Sequence, residues 1–356
     1  MSEEDEKKNS SVTNIYISDS VINRSNIAIE KEKSKAKMEP RNTDIEKEKS
    51  KAKMEIKKLG DEIIMFAKRT KNLFPPIVKD CIYRLLVNKM TWVLIVILLL
   101  PCLFGIVLYN EFGDEREYEM QDGDKVYLFP DDNGNLVPLH IDLRENFVNQ
   151  SDLFNISFVA IILAILFSSE LINEEYTQKT MQLLRTTPIH SFEILLYRYI
   201  AGVLCMFGIL GIYSIIFYLT TMMGAGQHGI IENLDVLLLI LKVLLLESIA
   251  FMGIFCVFTI YFNRPFLIGI AYWIIWESIV SGQNYQKLTI THYLNSILFD
   301  STKEMDGWNV VASDYGLVNS KDDIIATEPL TATLIIVIIA VITLFLGTRG
   351  LSNRQF

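Results

Sequence analysis

The sequence lacks the short motifs that mark the commonest catalytic sites. It has no GxxxxGK(S/T) phosphate loop, no HExxH zinc helix and no GxSxG nucleophile elbow. The chain is therefore not a recognisable ATPase, zinc hydrolase or serine hydrolase, and energy for any work must come from a gradient or from another protein. Cysteine is scarce. Cys81, Cys102, Cys205 and Cys256 lie in or beside apolar stretches, which argues against a disulfide framework and for small packing residues. Histidine is equally sparse. His140, His228 and His292, with Met120, Met222 and Met223, fall in predicted outer loops, but their spacing matches no metal-ligand pattern. No apolar core of signal-peptide length follows the first residues. A global basic excess is also missing, since the net charge is -9, and nothing points to nucleic acid.

Apolar residues, by contrast, are abundant, at 51% of the chain with a mean hydropathy of +0.29. They gather in runs long enough to cross a hydrocarbon core, which takes roughly 20 helical residues. Six spans are expected: Thr91–Tyr109, Phe154–Leu171, Ile200–Thr221, Val236–Phe262, Phe266–Val280 and Leu330–Leu346. The fifth is entered through Asn263-Arg264-Pro265, where proline suits a first helical turn. This predicts an all-α polytopic protein of the cell membrane, with the lipid bilayer as its first partner and an even number of crossings.

Charge sets the orientation. Residues 1–90 hold twenty of the thirty-three Lys and Arg residues, whereas 111–152 hold twelve acids against three bases. Lys79, Arg84 and Lys89 precede the first span, Arg264 sits in a short turn, and Arg349 and Arg354 follow the last span. Lys179, Arg185 and Arg198 lie between the second and third. All fall on one side of a six-span chain, which is then the cytoplasmic side and holds both termini. Loops 111–152, 222–235 and 281–329 fall outside.

Three regions organise the chain. Residues 1–60 carry a duplication, IEKEKSKAKME at Ile29–Glu39 and Ile45–Glu55. Neither copy has an apolar stripe, so a disordered or transiently helical tail is expected, or a basic arm touching anionic lipid or a partner. Residues 61–90 contain Ile77, Val78, Cys81, Ile82, Leu85 and Leu86 at helical spacing, as in an amphipathic helix on the membrane surface. Residues 91–356 form the six-span domain. Within it, alternating Val126 and Leu128, the turn signal Asp131–Gly134 and then Leu136 predict a small outer hairpin. Tyr285–Phe299 is too polar to cross and predicts an outer or re-entrant helical element between the fifth and sixth spans. Asn149-Gln150-Ser151 and Asn155-Ile156-Ser157 match glycosylation acceptors.

Charges inside spans are costly and often functional. Glu247, in LLLESIAF, and Glu277, in WIIWESIV, fall in the outer half of the membrane. Two roles suit them: sealing helix contacts through hydrogen bonds, or lining a translocation path or outer gate. Lys242 is placed to snorkel to the outer interface.

One segment carries a family pattern. From Glu175 to Ile189 it reads EYTQKTMQLLRTTPI, and SFEILL follows at 191–196. Glu175, Thr180, Leu183, Leu184, Pro188, Ile189, Ser191 and Glu193–Leu196 resemble the segment after the second span of ABC-2 type permeases, the membrane subunits of one class of ATP-binding-cassette exporters. Lys179 departs from the pattern, standing where the family usually has glycine. The resemblance covers about 77–356 and implies a dimer of permease subunits, homo- or heteromeric, working by alternating access with a separate ABC ATPase subunit. ATP and Mg would then belong to that partner, and this chain would hold no cofactor and no catalytic residue. It implies that 172–199 is a coupling segment, with Glu174, Glu175, Thr180, Met181, Leu184, Arg185 and Pro188 at the ATPase contact. A helix from about Glu175 would bring Thr180, Met181 and Leu184 together, and Pro188 would stop it. A non-transporting membrane sensor or assembly factor with the same bundle is the competing expectation.

Overall fold

The computed structural model describes Phe74 and residues 76–353, except 113–117, 122–123, 131–135, 178–190, 224–225, 281–284, 304, 306–310, 314 and 319–322. The chain divides into Met1–Leu73 and Phe74–Phe356. Of the first unit only Met54 and Lys57 are described, both helical, so the duplication lies outside the described residues.

The second unit is overwhelmingly helical. Helix α1 (Pro76–Val87) meets α2 (Lys89–Phe112) at a bend of 65°. Asn88 makes the corner: its Oδ1 accepts from Met90 N at 2.9 Å, while Thr91 Oγ1 donates to Leu85 O at 2.8 Å. The first is the cap bond that an Asn at a helix start supplies. Val78, Cys81 and Leu85 are buried and Lys79, Asp80 and Arg84 exposed, as the helical spacing predicts.

After α2 comes a small antiparallel sheet of β1 (Tyr118–Gln121), β2 (Asp124–Pro130) and β3 (Leu136–Pro138), in the order β1-β2-β3. The expected hairpin is β2–β3, with Phe129 opposite Val137. β1, whose Glu119 pairs with Val126, is an addition, and the fold is not strictly all-α. Helix α3 (Leu139–Gln150) runs into a π-helical segment, Ser151–Val159, and then α4 (Ala160–Thr177). The span therefore extends over Leu143–Ile172, starting before Phe154. Phe147 and Val148 explain the extension. Both are fully buried, and the Phe147 ring lies 5.5 Å from Phe217 and 5.2 Å from Tyr218.

Helix α5 is Ser191–Met222, α6 Gly226–Glu232 and α7 Leu234–Tyr261. Helix α8 (Pro265–Tyr272) continues as a second π segment, Trp273–Val280. A 3-10 turn, Gln286–Leu288, precedes α9 (Ile290–Thr302), which is the helical element expected before the last span, and α10 (Pro329–Asn353) follows. Four of these stretches are individually long and apolar enough to cross a membrane: Leu143–Ile172, α5, α7 and α10. The α1–α2 pair passes only as a bent unit, and Pro265–Val280 is shorter. The expected six-span count thus rests on a broken first span and a short fifth.

Helix α7 is the centre of the bundle, packing against α4, α5, α8, α9 and α10. Its apolar window is 72% buried against 22% for α10, so α10 lies at the periphery with most of its surface uncovered. All four cysteines are buried, and among the described residues no disulfide joins them.

Candidate functional site

Two ends of the bundle gather the residues of interest. At one, termed proximal, α4 ends, α5 begins and the α1–α2 corner is attached. At the other, termed distal, lie the sheet, the start of α4 and α9.

At the proximal end Glu174 and Glu175 occupy the last turn of α4. Thr180, Met181, Leu184, Arg185 and Pro188 lie outside the described residues. What is described is the mounting of that segment. Arg198 on α5, 4% exposed, donates through Nη1 to Leu171 O on α4 at 3.3 Å. Asn88 Nδ2 donates to Glu170 Oε2, fixing the α1–α2 corner to the end of α4. The Phe74 ring meets Tyr197 edge-on at 5.5 Å and 78°. One turn of α4 and one of α5 are thus joined to each other and to the corner. The sequence marks Arg198 only as a positive charge, and Asn88 and Glu170 drew no expectation. A polar residue breaking two helical runs is the signal that could have identified Asn88.

The distal end holds Glu277 and Glu247, in different surroundings. Glu277, in the π segment after α8, is 3% exposed. Its Oε1 accepts from Tyr272 Oη at 2.6 Å and from Ile290 N at 3.3 Å. Its Oε2 accepts from Thr291 N at 3.2 Å and Thr291 Oγ1 at 2.8 Å. The carboxylate therefore caps the first turn of α9, where free N–H groups and the positive end of the helix dipole favour an anion. Glu247, at the middle of α7, is fully buried, and neither carboxyl oxygen has a hydrogen-bond partner among the described residues. Its charged neighbours are Asp152 and Glu277. Trp273 ties the two π segments together: its Nε1 donates to Ser157 O at 3.1 Å, and its ring lies 5.3 Å from Phe158.

His292, considered with the loop histidines, is buried in α9 with Nε2 3.0 Å from Thr327 Oγ1. The side chains of His140 and His228 lie outside the described residues. Among the described residues no three His, Cys, Asp or Glu side chains converge as metal ligands.

A family model described as ABC-2 family transporter protein matches residues 77–349. Comparisons with curated proteins and with solved structures give no match. The matched range runs from the first turn of α1 to the last turns of α10, more than three-quarters of the sequence, and takes in every long apolar helix. Members of this family are membrane subunits that work with ABC ATPase partners and are normally not catalytic themselves. The chain belongs to the ABC-2 family of transporter proteins, as a multi-pass membrane protein with a transport permease role.

Proposed function

We propose that this chain is the membrane subunit of an ABC-2 exporter, moving its substrate by alternating access with a separate ATPase subunit that binds ATP and Mg. It works with a second permease subunit. The observation that carries this reading is the mounting of residues 178–190. Both flanks of that segment are held, by Arg198 to Leu171 O and by Asn88 to Glu170. A push on the segment is thereby passed to α4, α5 and the α1–α2 corner together, as a rigid-body mechanism requires. Glu174, Glu175, Thr180, Met181, Leu184, Arg185 and Pro188 form the contact with the ATPase. Lys79, Arg84, Lys89, Arg264 and Arg349 all belong to the proximal end, which supports placing that end in the cytoplasm with α1 along the membrane surface. Counting α2, with α1 on the surface before it, and the short α8 segment as crossings gives six spans.

The test is co-purification of the chain with its ABC ATPase subunit, together with the ATPase rate of the complex. Glu175→Arg combined with Leu184→Asp is expected to abolish association and stimulation while leaving the permease folded. Intact association and stimulation in that variant would overturn the coupling assignment.

A further inference from the structure

Glu247 stands at the middle of α7, the central helix of the bundle, about 20 Å along it from its first residue. The side chain is fully buried. Both carboxyl oxygens are sealed from solvent, and neither has a hydrogen-bond partner among the described residues. The adjacent hydroxyl, Ser248 Oγ, donates to Leu244 O at 2.7 Å instead. Buried polar atoms are normally paired, so a carboxyl group with two orphaned oxygens at the hub of a membrane bundle needs a reason.

Its charge state follows from what faces it. The charged neighbours are Asp152, from the first π segment, and Glu277, from the second. Arg144 on α3, Arg198 on α5 and His292 on α9 are buried bases on elements packed against α7, and none of them bonds to Glu247. Lys242, on α7 itself, is exposed and lies about 140° round the helix. Glu277 is the carboxylate of the group, since it accepts from Tyr272, Ile290 and Thr291. Asp152 Oδ1, like Glu247, is sealed and without a partner. A negative charge on Glu247 would have no donor and no counter-ion and would face two acids. The side chain is therefore the neutral acid. A proton is also the one ligand that a sealed carboxyl takes without a cavity. A metal ion needs further ligands, and among the described residues no three His, Cys, Asp or Glu side chains converge. The position gives the proton a consequence. Asp152 and Glu277 are carried on two π segments joined through Trp273 to Ser157 O, and such irregular windings are common at functional sites. Charging Glu247 would set a repulsion against both segments at once.

We propose that Glu247 is a proton-binding site linked to the conformation of the distal end. It holds its proton in the conformation described here. The proton passes to water in a second conformation, in which the two π segments part and solvent reaches the carboxylate left behind. Linkage is reciprocal, so loss of the proton favours the parted state. The site stands on the buried carboxyl groups alone and does not depend on the coupling assignment.

The test uses the full chain in phospholipid nanodiscs. Infrared difference spectra of the unmodified chain against Glu247→Gln should show, at neutral pH, the carbonyl stretch of a protonated carboxylic acid. Glu247→Met should lose the same band. Absence of the band from the unmodified chain, or its persistence in both variants, overturns the site. A neutral site accepts either replacement, so failure of both variants to fold overturns it as well. Loss of the band on adding sodium or potassium at fixed pH would make the occupant a metal cation, against the proposal. As pH is raised, loss of the band should coincide with a change in tryptophan emission. Trp273→Phe should remove that change, and Glu247→Gln should not show it. The linkage is overturned by an equal emission change in Glu247→Gln, by loss of the band without one, or by a band that persists until the chain unfolds.

Discussion

His292 shows how a single buried side chain sets a pH dependence. Burial, and then the positive charge of Lys287, lower its pKa from the ordinary 6.5 to about 4. Between these values the unfolded chain holds the extra proton and the folded chain does not. Stability contributed by the neutral ring is complete above pH 6.5 and is lost as pH falls toward 4. The melting temperature of the unmodified chain in detergent should fall more steeply across that window than that of His292→Gln. Parallel curves for the two proteins would contradict the assignment. Glu277 makes the complementary case. Its presence within an apolar run was legible, but its partners were not. The N–H groups it receives belong to residues 290 and 291, thirteen and fourteen positions away, and no local pattern announces such a pairing.

At the scale of elements, α7 and α10 approach each other closely. A Cβ at Gly253 would stand 2.4 Å from Thr343 Oγ1, and one at Gly350 would stand 2.8 Å from the Tyr261 ring. Small residues let two membrane helices come this near. Gly253→Ala is expected to destabilise the protein by about 1–3 kcal/mol through overpacking. Adding Thr343→Ala should recover most of that loss in thermal unfolding, because the clashing oxygen is gone. A double variant no better than the single one would place the cost elsewhere. The apolar helices themselves were legible, since their runs exceed what any soluble core helix of similar length needs. Helix α3 was not. Its buried Phe147 and Val148 sit among Asp142, Arg144 and Glu145, and those charges hide an apolar face only one turn wide. The β2–β3 hairpin was read from alternation and turn residues. β1, four residues of sequence YEMQ, has too little apolar content to be read as a strand.

On the scale of the whole molecule, charge and connectivity point the same way. The proximal end carries the basic residues, and the chain between α2 and α3 is acidic. Tags at both termini should resist protease added outside intact cells, whereas a cleavage site placed in 319–322 should be cut. Cleavage of either terminal tag from outside would reverse the orientation. The segment 178–190 was recognisable by its family pattern, whereas its attachment was not. Asn88 and Glu170 are 82 positions apart, and only the packed bundle brings them together. At the distal end, the wide winding of Ser151–Val159 and Trp273–Val280 has its own consequence. These segments carry more residues per turn than α-helix does and touch each other through Trp273. Tightening either one into α-helical winding would rotate everything beyond it about the helix axis. Glu277 would swing away from the first turn of α9 without any span having to melt. The winding of Trp273–Val280 therefore sets the angle at which α8 presents Glu277 to the first turn of α9.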